Sequence, residues 1–453
     1  MDRVVVLPAF LALLLAQRMG PERTFIVFFV PVLIVLPPYF ESELVPMTPE
    51  FTFSTATLAA LFVVYLFAKN RTEMHLQRLD MLVLLHLFVV FLGQMSNSDY
   101  KQAQKVFFND FVTRFLPYFM TRLIVVERKY RDDLLRVLVI TGAVVGCFVL
   151  FEFRFWFNVF DDIIRRVWPH SVPWENDMRR YGFKRAAGPF GHPICAGYFF
   201  AMVLPLAVHL WKEKLVSNRT GMITAALCLG GCVGALSRAP LASVGLSLVI
   251  LWYAHSKFRS LVVMIMVPAG VAALAVMLPA FLDYINVDRA GAVTVDQRNA
   301  VYRRELLDQY LVLVDRRPFL GWGRFTVPWV EGSKSIDNEY LFVALTSGKL
   351  ALYLYLATIA GAFLALLAVF RRGSVAASVS RSSRLLAWAL SASLLAAVLT
   401  QTTVFAGTQT VPIFYMFIGL AAGLAGDEHG DTIANEEIQP TGVHHGYQFS
   451  RTL

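Results

Sequence analysis

The chain has 453 residues, of which 57% are hydrophobic and only 16% are Asp, Glu, Lys or Arg. A soluble domain is about a quarter charged, so a water-soluble globule is excluded, and the length argues against one compact core. The net charge of +9 reads largely as a membrane-topology signal and not as a nucleic-acid surface.

Apolar residues come in uninterrupted runs, without the polar stripe of an amphipathic helix, as helices surrounded by lipid require. In chain order they lie near 4–17, 24–37, 54–68, 81–93, 106–124, 137–153, 194–210, 221–236, 241–254, 261–281, 350–370, 385–404 and 411–424. They predict an all-α polytopic membrane protein with about 12–13 transmembrane helices. Several runs are shorter than the roughly 20 residues of a perpendicular span and need their flanks. The first resembles a signal-peptide h-region. If it is re-entrant, one span fewer remains; if all runs span, the N-terminus is external.

Charge sorts the connections. Lys69, Arg71 and Arg78, then Arg128, Lys129 and Arg131, then Lys212, Lys214 and Arg219, then Lys257 and Arg259, then Arg371, Arg372, Arg381 and Arg384 fall in alternate loops. The positive-inside rule places these in the cytoplasm. The loop with Glu41, Glu43 and Glu50 lacks Lys and Arg. The expected organisation is therefore N-terminal transmembrane helices over 1–153 and a first long external loop over 154–193. Central helices follow over 194–281, then a second long external loop with an amphipathic helix over 282–349. C-terminal helices over 350–426 lead to a flexible cytoplasmic tail over 427–453. Cys147, Cys195, Cys228 and Cys232 lie in or beside apolar runs. They read as packing residues, and no metal site is expected. No internal repeat supports an inverted-repeat transporter.

The first long loop ends in RRYGFKRAAGPFGHPICAGYFF. Arg179, Arg180, Lys184 and Arg185 precede Gly188, Gly191 and Pro193, where a helix begins. A basic cluster beside a positive helix end suits phosphate oxygens; lipid headgroups are the competing reading. Arg238, in CVGALSRAPLASVGL, sits where two helices meet at a short external turn near hydrocarbon depth. A charge there is a functional candidate, against snorkelling to the interface. In the second loop Tyr302, Leu306, Tyr310, Leu313 and Val314 recur at helical spacing, so an amphipathic helix lies on the protein or the membrane surface. Pro318 stops it, and Gly321 and Gly323 shape a turn. Arg298, Arg303, Arg316 and Arg317 are partly a solvated face, with one or two expected to touch substrate.

Together these motifs resemble the bacterial superfamily of O-antigen ligases and O-antigen or exopolysaccharide polymerases. Its pattern is matched by Arg185, Gly188, Phe190 and Pro193, by Ser237 and Arg238, by Arg298, Pro318, Gly321 and Gly323, and by Asp337-Asn338-Glu339-Tyr340-Leu341 followed by Gly348. The match runs roughly over residues 180–360. It implies a metal-independent glycosyltransferase of GT-C-like helical fold, without cofactor, working on the periplasmic side of a bacterial inner membrane. The implied partners are an undecaprenyl-pyrophosphate-linked glycan donor, a lipid-linked acceptor and membrane lipids, with a chain-length regulator as a further candidate. Asp337 stands where the ligases carry a proposed catalytic His, which shifts the reading from ligase to polymerase.

On that resemblance Arg185, Arg238 and Arg298 hold the pyrophosphate, with Arg180, Lys184 and Arg317 beside them. Asn338, Tyr340 and Trp322 join the substrate contacts, and sugar faces stack on Trp322 and Trp329. Asp337 or Glu339 deprotonates the acceptor, and His192 is the stand-in base. An O-antigen ligase passing glycan to lipid A-core or another acceptor is the first alternative; a polysaccharide flippase or a solute transporter is the second, and would place polar residues along a path through several helices. Here only a few occur, among them Asp110, Arg114, His86 and His209.

Overall fold

The computed structural model describes residues 2–38, 40–43, 50–68, 75–167, 178–287, 291, 293–330, 335–375 and 381–437. Lys69, Arg71, part of the first long loop and the end of the tail lie outside the described residues. Helices dominate, beside two short antiparallel hairpins. Among the described residues six helices are long and apolar enough to cross a membrane: Arg78–Asn97, Arg128–Phe155, Pro193–Lys212, Arg259–Tyr284, Glu339–Arg371 and Arg381–Gln401. Val4–Met19, Phe53–Phe67 and Thr410–Gly426 are shorter apolar helices. The protein is an all-α polytopic membrane protein.

Two of the expected runs are continuous helices that each contain a π-helical stretch. Pro31 and Pro117 have no N–H to donate, and their rings press on the carbonyl four residues back. In each case a π-helical stretch immediately precedes, Phe25–Phe29 and Phe111–Phe115, widening the helix where a hydrogen bond is lost.

The Pro193–Lys212 helix is central and mostly buried, whereas Arg259–Tyr284 is almost wholly exposed and faces outward. Lipid supplies little hydrophobic drive between helices, so close approach decides packing. The Phe200 ring lies so close to Gly231 that a Cβ there would stand 2.5 Å from it.

Both long loops lie at one end of the bundle. Ala186 N donates to Gly234 O (3.0 Å), Glu339 N to Val404 O (3.1 Å) and Arg324 N to Gln94 Oε1 (2.9 Å). At the other end Arg136 Nε donates to Leu215 O (3.3 Å) and Trp211 packs on Gly221. The described basic connections, with Arg128, Lys129, Lys212, Lys214 and Arg219, belong to that second end.

The structure shifts two expected boundaries. Helix begins at Glu339, not at 350, and breaks at Gly348 (φ 83°, ψ 171°). Asn338 starts it, its Oδ1 accepting from Leu341 N at 3.0 Å. The last helix, Thr410–Glu437, continues into the expected tail. The amphipathic helix is Val295–Arg316, and its apolar face rests on protein: Leu306, Tyr310 and Val314 pack with Ile336, Leu341 and Leu345.

Candidate active site

The first loop is built around a buried acid. Glu152 ends the Arg128–Phe155 helix and is 3% exposed. Its Oε2 accepts from Ala187 N (3.1 Å), Gly188 N (2.8 Å) and Asn158 Nδ2 (3.1 Å), which pins the turn directly after Arg185. Before that turn, Arg179–Arg180 and Phe183–Lys184 pair as a hairpin. Its two turn residues, Tyr181 (φ 53°) and Gly182 (φ 80°), take the positive angles of a tight two-residue hairpin turn.

Arg185 is 8% exposed, yet no carboxylate partners it among the described residues. Its Nε donates to Ala235 O (3.3 Å) and its Nη1 to Met178 sulfur (3.8 Å). Burial, then the charges of Arg180 and Arg303, push its guanidinium down to about 10. Those shifts mark a site short of negative charge. Arg180 Nη1 donates to Leu236 O (2.6 Å). Lys184 instead serves the scaffold, bonded to Trp156 O (3.1 Å) and 3.5 Å from Glu152 Oε1.

Arg238 begins the Arg238–His255 helix. It is exposed, and Nη2 donates to Tyr181 OH at 2.8 Å. The first-loop hairpin thus meets the short turn through Tyr181 and Arg238.

From the second loop, Arg303 Nη2 reaches 3.7 Å from Asp337 Oδ2, whose partner Oδ1 accepts from Ser335 Oγ at 2.7 Å. His192 lies where the charges of both Arg185 and Asp337 act on it. Burial, then Arg185, push its imidazole down to about 4, against a smaller opposite effect of Asp337. Its Nδ1 accepts from Ile194 N at 3.2 Å, so the neutral ring carries its proton on Nε2. Arg180, Arg185, His192, Arg303 and Asp337 are thus gathered from both loops. Arg298 is exposed near the start of the Val295–Arg316 helix. Among the described contacts Arg303 is the arginine of this helix that meets Asp337.

Other candidates are engaged elsewhere. Glu339 is fully buried: Oε2 accepts from Ala406 N (3.0 Å) and Oε1 lies 3.7 Å from Arg114 Nη2. Asn338 caps its helix, and Tyr340 OH donates to Val398 O (2.9 Å). Trp322 Nε1 donates to Leu313 O (2.9 Å) while the Arg317 guanidinium covers its ring at 4.2 Å; Arg317 also bonds Asn97. Trp329 remains 65% exposed. Tyr181, Glu152 and Arg324 escaped the sequence reading. For Glu152 a signal existed, a lone acid inside an apolar run; for Tyr181 none did, because its role depends on a hairpin contact.

Residues 223–356 match the family model described as O-antigen ligase. Over this stretch the chain is similar to that family. The match contains Arg238, Arg298, Arg303, Asp337 and the Gly348 break, so the resemblance to the O-antigen ligase and polymerase superfamily holds over the second loop and its flanking helices. No curated protein matches the chain.

Proposed function

We propose that this protein polymerises lipid-pyrophosphate-linked oligosaccharide repeats on the periplasmic face of a bacterial inner membrane. The observation that carries this reading is Arg185, a buried guanidinium without a carboxylate partner among the described residues, set beside Arg180 and Arg303 and within the field of Asp337. A buried cation of this kind calls for an anionic ligand. The guanidinium fork suits phosphate oxygens.

In the transfer step the acceptor sugar's hydroxyl oxygen forms a bond to the donor's anomeric carbon. The bond from that carbon to pyrophosphate breaks, and its electron pair leaves on the pyrophosphate oxygen. Arg180, Arg185, Arg303 and Arg238 neutralise the charge that develops there. The hydroxyl proton passes to the Asp337 carboxylate. His192 Nε2–H is a hydrogen-bond donor to the substrate, and Trp329 offers a sugar-stacking face. Glu339, in this reading, supports the fold and takes no proton.

The test is purified protein in lipid bilayers supplied with lipid-pyrophosphoryl repeat as the sole sugar substrate, in excess chelator. A ladder of lengthening products is expected. Product only after addition of a lipid A-core acceptor would establish the ligase reading. No product without a divalent ion would overturn the arginine mechanism.

A further inference from the structure

Arg324 and Glu339 stand on either side of Asp337 in the chain, and both reach into the same buried charge cluster. Arg324 Nη2 donates to Asp110 Oδ2 at 2.5 Å. Asp110 Oδ1 lies 3.4 Å from Arg114 Nε, and Arg114 Nη2 lies 3.7 Å from Glu339 Oε1. The side chains of Asp110, Arg114 and Glu339 are 4%, 8% and 1% exposed, so solvent does little to screen them. Two carboxylates and two guanidiniums balance in charge.

Each foot is also stitched by backbone. On the Arg324 side, Trp322 N donates to Leu345 O (2.9 Å), Gly323 N to Thr346 O (2.8 Å) and Arg324 N to Gln94 Oε1 (2.9 Å). On the other, Glu339 is held to Val404 and Ala406. Asp110 and Arg114 sit at and within the π-helical stretch Phe111–Phe115. Replacing such a cluster by apolar residues is often neutral for stability, so its value lies in fixing geometry.

We propose that Asp110 and Arg114 are positioning residues: by gripping Arg324 and Glu339 together they set where Asp337 stands against the donor. This rests on the role given to Asp337 above. A misplacement of about 1 Å costs up to ~10²-fold in rate, whereas donor contacts made by Arg180 and Arg185 are untouched.

The test uses full-length protein in bilayers, lacking native cysteines and carrying a spin label through Phe325→Cys, next to Arg324. Asp110→Asn and Arg114→Gln are expected to raise label mobility and lower kcat by roughly 10–10²-fold, with donor KM within about twofold; Arg114→Lys should recover part of the rate. Should Arg114→Gln not fold, the charge-balanced pair Arg114→Gln with Glu339→Gln takes its place, with the same expectation. Unchanged kcat, or a loss confined to donor KM, in a folded variant overturns the proposal. An inactive Asp337→Asn beside a fully active Asp110→Asn sinks this inference alone, whereas a fully active Asp337→Asn sinks the function on which it rests.

Discussion

Arg303 Nη2 lies 3.7 Å from Asp337 Oδ2, while the same guanidinium's charge bears on Arg185 in the other loop. One side chain therefore faces both the proposed base and the proposed phosphate site. Arg303→Gln is expected to weaken donor binding about tenfold or more, the scale of one charge-assisted hydrogen bond. Arg298→Gln, one helical turn and more away, should change it less. Equilibrium binding of labelled donor to protein in bilayers measures both; the reverse order would restore Arg298 as the phosphate ligand.

The second loop's turn interlocks with the helix break below it. Gly348 has φ 83°, and a Cβ there would stand 2.1 Å from Phe319 O. Gly348→Ala thus meets both an unfavourable backbone angle and a clash, and should cost about 2 kcal/mol or more. Gly245→Ala, with nothing within 4 Å of its Cβ, should stay within about 0.5 kcal/mol. Melting in detergent compares the two, and equal losses would contradict the interlock.

Acid should destabilise the site through His192. Its imidazole, pushed down to about 4 from an ordinary 6.5, takes up a proton in the unfolded chain before it does so in the folded one. Stability is full above about 6.5, falls as pH drops towards 4, and then levels off. His192→Asn keeps an acceptor for Ile194 N but cannot titrate, so its melting curve should fall less over that window. Parallel curves would remove His192 from the account.

Much of this was legible in the sequence, and the failures have physical causes. Lipid-facing runs announce themselves by composition, so the helical membrane fold and the two loop segments could be read directly. Arg185 could be picked out because a basic cluster beside glycines and a helix-starting proline is a local pattern. The contact of Arg238 with Tyr181 was not legible, because it depends on a hairpin more than fifty residues earlier in the chain. Adjacency in sequence does not reveal that the Glu339 carboxylate turns toward Arg114 while that of Asp337 meets Arg303. The helix start at Glu339 was missed because the break at Gly348 splits the apolar pattern.

Sidedness has its own check. A cysteine replacing Phe319, which is 76% exposed at the loop end, should react with an impermeant reagent in intact cells. One replacing Lys214, at the basic end, should react only after lysis. The opposite pattern would invert the topology and move the proposed site to the cytoplasm.

Holding the donor and moving the proton fall to different residues in this proposal, and one paired measurement addresses both: donor affinity and single-turnover rate for Arg185→Gln and Asp337→Asn in bilayers. Arg185→Gln should lose donor binding by about tenfold or more. Asp337→Asn should bind donor within about twofold of the native protein while turnover falls by on the order of 10²–10⁴. An Asp337→Asn protein that turns over at nearly the native rate would contradict the account.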